Sequence, residues 1–182
     1  MKLLGISGTI LGAKTGILVE SVLQEVKRLD SNVEVDILDL RDYHLQFCDG
    51  RSYEKYNDDT KAVIDKVTNA DFYLIGTPVF NGSIPAPLKN VIDLVNPNVF
   101  RHKVMGFVAT GGTYQHYLVI ENQLKPIAGY LRAFVTPSYV YIKSEDFSPE
   151  NTIEDSELKE RITFLAEELI TMQKGLKGQT VK

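Results

Sequence analysis

Short apolar runs alternate along this chain with longer amphipathic segments, and this alternation constrains the fold more than any other feature. Apolar runs of strand length occur at residues 3–7, 33–40, 72–75, 104–109 and 138–142. Helical spacing of apolar residues predicts helices over 15–29, 88–95, 115–131 and 155–172. Strands that alternate with helices form a parallel sheet whose two faces are both covered by helices. The sequence therefore predicts an α/β fold.

Length and composition indicate one globular domain. The chain has 182 residues, and we expect a single domain over residues 1–175 followed by a flexible tail over 176–182. A net charge of -4 argues against a nucleic-acid partner. No apolar stretch approaches the roughly 20 residues that cross a bilayer, so we expect no membrane partner. The single Cys48 and the absence of a signal-peptide pattern favour a cytoplasmic protein.

Three turns that follow predicted strands have unusual compositions. They are the first loop (residues 7–15), the second loop (residues 76–85) and the third loop (residues 110–114). In parallel sheets, ligands bind beyond the carboxyl ends of the strands, where the strand order reverses. The loops after the first, third and fourth strands are therefore predicted to form a ligand site together.

The first loop has the composition of an anion site. Its backbone N–H groups and the start of the following helix can converge on a phosphate. Side-chain donors are available from Ser7, Thr9, Lys14 and Thr15. The loop matches neither G-x-G-x-x-G nor a Walker motif, which argues against a dinucleotide domain or an NTPase. An alternative interpretation is an ordinary turn in which Thr15 caps the helix.

The second and third loops have the features of a site for a flat aromatic ligand. Prolines stiffen the second loop around Phe80, and glycines let the backbone of the third loop approach a ligand closely. The residues in question are Pro78, Val79, Phe80 and Asn81 in the second loop, and Thr110, Gly111, Gly112, Thr113 and Tyr114 in the third. His116 follows as a titratable donor, although a histidine at a helix start is more often a surface group.

These loops resemble those of a known family. Residues 77–85 (TPVFNGSIP) with the following LKN, and residues 109–113 (ATGGT) with His116 and the later LKP, are similar to the NADPH-dependent FMN reductase family. The third loop most resembles the branch that serves alkanesulfonate monooxygenases. The resemblance covers about residues 1–131. It implies a flavodoxin-like three-layer sandwich with a five-stranded parallel sheet in the order 2-1-3-4-5, assembled as a homodimer or homotetramer.

The resemblance also implies how the site works. The first loop would hold the FMN phosphate through Ser7, Thr9, Lys14 and Thr15, residues 78–81 would lie along the isoalloxazine ring, and residues 110–114 would meet its pyrimidine edge. NADPH or NADH would supply a hydride, and the reduced FMN would pass to a monooxygenase. The chain departs from its relatives at Leu11, where many have arginine, and at Asn122, where the best-known branch has tyrosine.

Other functions remain open from the sequence. An FMN-bound reductase of quinones or azo compounds, a flavodoxin-like electron carrier, and a binding module that has lost its flavin would share this fold. No catalytic acid, base or nucleophile is nominated, because a flavin performs its own redox chemistry. His44 and His102 lack partners at metal-ligand spacing, and Cys48 has no C-x-x-C partner, so no metal site is expected.

Overall fold

The computed structural model describes residues 1–177 and contains a six-stranded parallel sheet between two helical layers. The elements in chain order are β1 (Lys2–Ser7), α1 (Lys14–Leu29), β2 (Glu34–Asp39), α2 (Asp58–Thr68), β3 (Phe72–Pro78), α3 (Ala86–Leu94), β4 (Val104–Gly111), α4 (Lys125–Tyr130), β5 (Phe134–Val135), β6 (Val140–Lys143) and α5 (Ser156–Lys177). From residue 178 onward, the tail predicted over 176–182 lies outside the described residues. Within residues 1–177, no helix is both long and apolar enough to cross a membrane.

The strand order is β2-β1-β3-β4-β5, with β6 also paired to β4. The predicted order 2-1-3-4-5 is confirmed, and so are the helices on both faces. The chain moves from β1 outward to β2 and then returns to the other side of β1 to form β3. The strand order therefore reverses between β1 and β3, which is the place where ligands bind in open α/β sheets.

The strand predicted over residues 138–142 is present as β6, and β5, a strand that the sequence did not predict, precedes it in the same sheet position. β5 pairs with the start of β4 and β6 pairs with its end. Pro137 lies between them and has no N–H group to donate to a ladder. The Thr136 hydroxyl donates to the Ser138 carbonyl at 2.9 Å, and the Ser138 N–H turns away to the Glu168 carboxylate on α5. The strand is interrupted because these groups are satisfied outside the sheet.

Alternating side chains of the strands build two cores. Leu4 faces the layer that contains α2, α3 and α4, whereas Leu3 faces α1 and α5, and both are fully buried. Close approach of α1 to the sheet requires glycine: a Cβ on Gly76 would lie 2.3 Å from the Val19 Cγ2 atom. This close packing brings the start of α1 to the end of β1.

The single helix predicted over residues 115–131 is three segments with different hydrogen-bond spacing. A 3₁₀ turn (Tyr114–Tyr117) is followed by a π turn (Ile120–Leu124) and then by α4. In the π turn, the Lys125 N–H donates to the Ile120 carbonyl, five residues back. A π turn inserted between other helical segments often marks a functional position.

Candidate functional site

The three loops identified in the sequence meet at the carboxyl edge of the sheet. Ser7 pairs with Gly76 at the ends of β1 and β3, and Pro78 pairs with Thr110 at the ends of β3 and β4. Backbone hydrogen bonds continue beyond the strands: Gly8 N–H donates to the Gly76 carbonyl at 2.8 Å, and Val79 N–H donates to the Thr110 carbonyl at 2.9 Å. The loops therefore form one continuous surface at the point where the strand order reverses.

The first loop leaves polar groups free where α1 begins. The Ser7 Oγ atom is buried and has no hydrogen-bond partner within residues 1–177. It faces the first turn of α1, since a Cβ built on Gly16 would lie 3.5 Å from it. Ala13 occupies the N-cap position and provides no side-chain cap, and the first turn carries no acidic residue. An orphan hydroxyl beside uncapped helix N–H groups suits an anion.

Two other hydroxyls of the first loop shape the protein itself. Thr9 Oγ1 accepts from the Leu11 N–H and donates to the Leu11 carbonyl, which closes a local turn. Thr15 Oγ1 lies 2.8 Å from Thr110 Oγ1 in a buried contact. The alternative interpretation of Thr15 as a helix cap is wrong, because Thr15 lies inside the first turn and its hydroxyl reaches β4 instead.

Lys14 is not brought together with the hydroxyls of the first loop. Its Nζ atom donates to the Ser144 carbonyl at 2.6 Å and lies 5.4 Å from the centre of the Phe147 ring. The ammonium group therefore ties the start of α1 to the connection between β6 and α5.

The second loop contains a tight two-residue turn. Phe80 and Ser83 exchange two backbone hydrogen bonds of 3.0 Å. Between them, Asn81 and Gly82 have φ angles of 50° and 75°. Positive φ at both central positions defines a type I′ turn, for which Asn-Gly is the favoured sequence. The N–H groups of Asn81 and Gly82 make no hydrogen bond in the part of the chain that the structure describes.

The third loop is fixed on one side and open on the other. A Cβ on Gly111 would lie 2.7 Å from both His116 Nδ1 and Tyr141 Oη, whereas a Cβ on Gly112 would meet nothing within 4 Å. The Tyr141 hydroxyl donates to the Thr113 carbonyl at 2.5 Å. Gly111 is therefore needed for packing, and Gly112 borders open space.

The second and third loops each carry an exposed aromatic ring, and one polar atom next to the third loop is unsatisfied. Phe80 is 41% exposed and Tyr114 is 68% exposed, although neither is needed to complete the core. Tyr114 packs against Tyr117, with ring centres 5.4 Å apart. The His116 Nδ1 atom is buried without a partner among the described residues. The carboxyl edge of the sheet thus carries the exposed rings of Phe80 and Tyr114 together with the unpaired His116 Nδ1 atom.

A carboxylate and an arginine at the end of β2 support the first loop, and sequence reasoning missed both. Asp39 accepts hydrogen bonds from the Arg41 N–H and guanidinium, and Arg41 Nη1 also donates to the Gly12 carbonyl at 3.0 Å. Burial by itself would raise the pKa of Asp39, but the hydrogen bonds and charge of Arg41 hold that pKa below its ordinary value. The signal available in the sequence was an acidic residue at the carboxyl end of a predicted strand.

A second residue that sequence reasoning missed is Gln123. Its side-chain amide makes hydrogen bonds to Ser83, Ile84 and Gly82 in the second loop. No local pattern could have revealed it, because Gln123 and its partners lie about 40 positions apart in the chain.

The residues at this edge fit FMN. The orphan Ser7 hydroxyl and the uncapped α1 suit a phosphate, while the open border at Gly112 and the free N–H groups of Asn81 and Gly82 suit the polar edge of a flat ring. A groove of about 570 Å³ lies elsewhere, between α1 and α5. Among residues 1–177, no group of three histidine, cysteine or acidic side chains is arranged to hold a metal ion.

The fold and this edge place the chain in the class of flavodoxin-like α/β proteins, whose ligand site lies at the switch point of a parallel sheet. The NADPH-dependent FMN reductase family matches residues 1–147, and the chain belongs to that family. The family predicted from the loops is therefore confirmed.

Similar proteins agree with this assignment. The chain is 58% identical over 178 residues to an NAD(P)H-dependent FAD/FMN reductase of Geobacillus thermodenitrificans, covering 98% of this chain and 96% of that protein. It is 30% identical to an FMN reductase (NADPH) of Pseudomonas aeruginosa, covering 88% and 85% of the two chains. The solved structure of an oxidoreductase from Corynebacterium diphtheriae matches the fold with a TM-score of 0.74 at 23% identity, covering 96% and 97%.

Proposed function

We propose that the chain reduces FMN with NADPH or NADH at the carboxyl edge of its sheet. Its membership of the FMN reductase family supports this reaction. The observation that carries the placement of the site is the Ser7 hydroxyl, which is buried without a partner beside the uncapped start of α1. A buried polar group without a partner destabilises a protein unless a ligand satisfies it.

The first loop would bind the phosphate of FMN. Ser7 would donate its hydroxyl, and the N–H groups in the first turn of α1 would donate from the backbone. The positive end of the helix dipole favours an anion at the same place. Thr9 and Thr15 would act by shaping the loop, since their hydroxyls are engaged in internal contacts. For Lys14 to reach the phosphate, its Nζ atom would have to leave the Ser144 carbonyl.

The second and third loops would bind the ring. Phe80 and Tyr114 supply exposed aromatic surface, and Pro78 and Val79 continue the backbone along the edge. Bound FMN would accept a hydride from the reduced nicotinamide and pass the electrons onward. The free N–H groups of Asn81 and Gly82 would stabilise negative charge on the ring edge that they face. Hydride transfer itself requires no protein acid or base.

The destination of the electrons and the assembly of the protein belong to the same proposal. We propose that reduced FMN leaves the site for a flavin-dependent monooxygenase, and that the protein works in the cytoplasm as a homodimer or homotetramer. Tyr130 at the end of α4 supports association, because its side chain is 80% exposed and large aromatic side chains are frequent in subunit interfaces. Analytical ultracentrifugation would measure the subunit number, and a single-subunit mass would contradict the oligomer.

Flavin titration tests the proposed site. The purified protein is titrated with FMN and with riboflavin, which lacks the phosphate, and flavin fluorescence reports binding. We expect FMN to bind at least tenfold more tightly than riboflavin, because the first loop recognises the phosphate. Equal affinity for the two flavins would contradict the phosphate site. Failure of both flavins to bind would contradict the proposed function.

A further inference from the structure

The Gln123 side chain holds the turn of the second loop by three hydrogen bonds. Its Oε1 atom accepts from the Ser83 hydroxyl at 2.8 Å and from the Ile84 N–H at 3.2 Å. Its Nε2 atom donates to the Gly82 carbonyl at 3.2 Å. One amide therefore contacts three successive residues on one side of the type I′ turn.

The segment that carries Gln123 is firmly packed. Gln123 belongs to the π turn, whose first and last residues, Ile120 and Leu124, are almost completely buried in the core beneath α4. A salt bridge of 2.8 Å between Glu121 and Lys125 spans the same segment on its outer side. Gln123 thus connects the second loop to the interior of the protein.

The turn needs such support because its own hydrogen bonds are few. In the described part of the chain, two backbone bonds between Phe80 and Ser83 close it, and an isolated two-stranded hairpin has marginal stability in water. The groups that would meet a ligand, the N–H groups of Asn81 and Gly82, make no hydrogen bond among the described residues. Gln123 holds the neighbouring Gly82 carbonyl and the following residues Ser83 and Ile84, and thereby limits the movement of the turn that carries these N–H groups.

We propose that Gln123 is a positioning residue for the flavin ring, acting through the Asn81–Gly82 turn. This inference rests on the proposed function, since it assumes that the ring binds at that turn. Gln123 would hold the two free N–H groups in the orientation that meets the polar edge of the ring. Neither the π turn nor its glutamine would have to touch the flavin.

Three variants test the role. Gln123→Leu keeps the size of the side chain and removes all three hydrogen bonds. Gln123→Glu keeps the two acceptor bonds to Ser83 and Ile84 and loses the donation to Gly82. Gln24→Leu is the matched control, because Gln24 is an exposed glutamine on α1 whose side chain makes no hydrogen bond to any of the described residues.

Two measurements are made on each variant: the Kd values for FMN and riboflavin, and amide hydrogen exchange at Ile84 in the free protein. For Gln123→Leu we expect faster exchange and Kd values about tenfold higher for both flavins, so that the ratio between them stays that of the wild type. Gln123→Glu should lie between Gln123→Leu and the wild type, and Gln24→Leu should match the wild type.

The outcomes separate this inference from the proposed function. A wild-type protein that binds no flavin would overturn the proposed function and the inference with it. A wild type that binds flavin, with Gln123→Leu and Gln123→Glu binding equally well, would overturn the inference alone. Unchanged exchange at Ile84 in Gln123→Leu would also overturn it. If Gln123→Leu does not fold, a wild-type Kd in Gln123→Glu overturns it and a raised Kd supports it.

Discussion

The hydroxyl oxygens of Thr15 and Thr110 lie 2.8 Å apart in the interior and join the first turn of α1 to the end of β4. The two residues are 95 positions apart in the chain. β4 is separated from β1 by β3, so the contact reaches across the switch point of the sheet. It couples the loop proposed to bind the phosphate to the loop proposed to meet the ring.

Removing one hydroxyl of this pair should cost stability. Thr110→Val keeps the shape of the side chain but leaves the buried Thr15 hydroxyl without its partner. We expect a loss of about 1–3 kcal/mol in the free energy of unfolding, measured by urea denaturation. The double variant Thr15→Val/Thr110→Val should lose less than the sum of the two single variants, because no unpaired hydroxyl remains. Strictly additive losses would show that the pair does not interact.

Ser7→Ala should weaken FMN binding without lowering the stability of the protein. The Ser7 hydroxyl has no partner within the described chain, so its removal should leave the free energy of unfolding unchanged within about 0.5 kcal/mol, or raise it. The Kd for FMN should rise about tenfold, while the Kd for riboflavin should stay the same.

Ser138→Ala is the matched control for this variant. The Ser138 hydroxyl donates to Glu168 at 2.9 Å, in the chain between β5 and β6. Its loss should cost about 1 kcal/mol of stability and leave FMN binding unchanged. If Ser7→Ala lowered stability and left FMN binding intact, the phosphate site would be misplaced.

The two glycines of the third loop should respond differently to alanine. Gly111→Ala places a methyl group 2.7 Å from His116 Nδ1 and Tyr141 Oη, which must shift, and we expect a loss of about 1–3 kcal/mol in thermal or urea unfolding. Gly112→Ala places its methyl group in open space and should change stability by less than about 1 kcal/mol. It should nevertheless raise the Kd for FMN several-fold, because the methyl group occupies room that the ring needs. Undiminished FMN binding by Gly112→Ala would place the ring elsewhere.

Arg41→Met should cause a pH-dependent loss of stability. The pKa of Asp39 is lowered in the folded protein, so its contribution is present above the ordinary carboxyl pKa and is lost as the pH falls through the folded pKa. Without Arg41, burial would raise that pKa, and the unpaired carboxylate would then destabilise the fold at neutral pH. Since Arg41 is partly exposed to solvent, we expect the variant to lose about 1 kcal/mol in the free energy of unfolding near pH 7. The difference between the variant and the wild type should become smaller as the pH falls toward 3.

Urea unfolding at several pH values would measure this effect. Arg101→Met is the matched control, because Arg101 is exposed between α3 and β4 and its side chain forms no ion pair within residues 1–177. The control should change stability little and equally at each pH. If the free energy of unfolding that Arg41→Met loses is the same at every pH, then Arg41 does not stabilise the fold through the ionised Asp39 carboxylate.

The sequence was sufficient to predict the fold and the meeting of the three loops at one edge of the sheet. Apolar runs such as 72–75 are local signals, and their alternation with helical segments determines a parallel sheet. The residues that follow the strands then meet at one edge for geometric reasons, which is why Ser7, Pro78 and Thr110 could be grouped before the structure was known.

The sequence was insufficient where partners lie far apart in the chain. The charge of Lys14 suggests a phosphate contact, which stays a prediction, but it could not reveal that the Nζ atom also reaches the Ser144 carbonyl, 130 positions away. The π turn that carries Gln123 was predicted as ordinary helix, because an extra residue in a turn leaves the apolar pattern almost unchanged. The sequence predicted the strand after Pro137 and missed β5, which has only two residues and lies before that proline.

The most direct test of the central claim is the oxidation of NADH and NADPH by the purified wild-type protein, with and without added FMN. The loss of nicotinamide absorbance reports turnover. The account predicts turnover that requires FMN, saturates as FMN is added and is weakened in Ser7→Ala through a higher KM for FMN. If neither nicotinamide is oxidised at any concentration of FMN, the proposed reaction is contradicted.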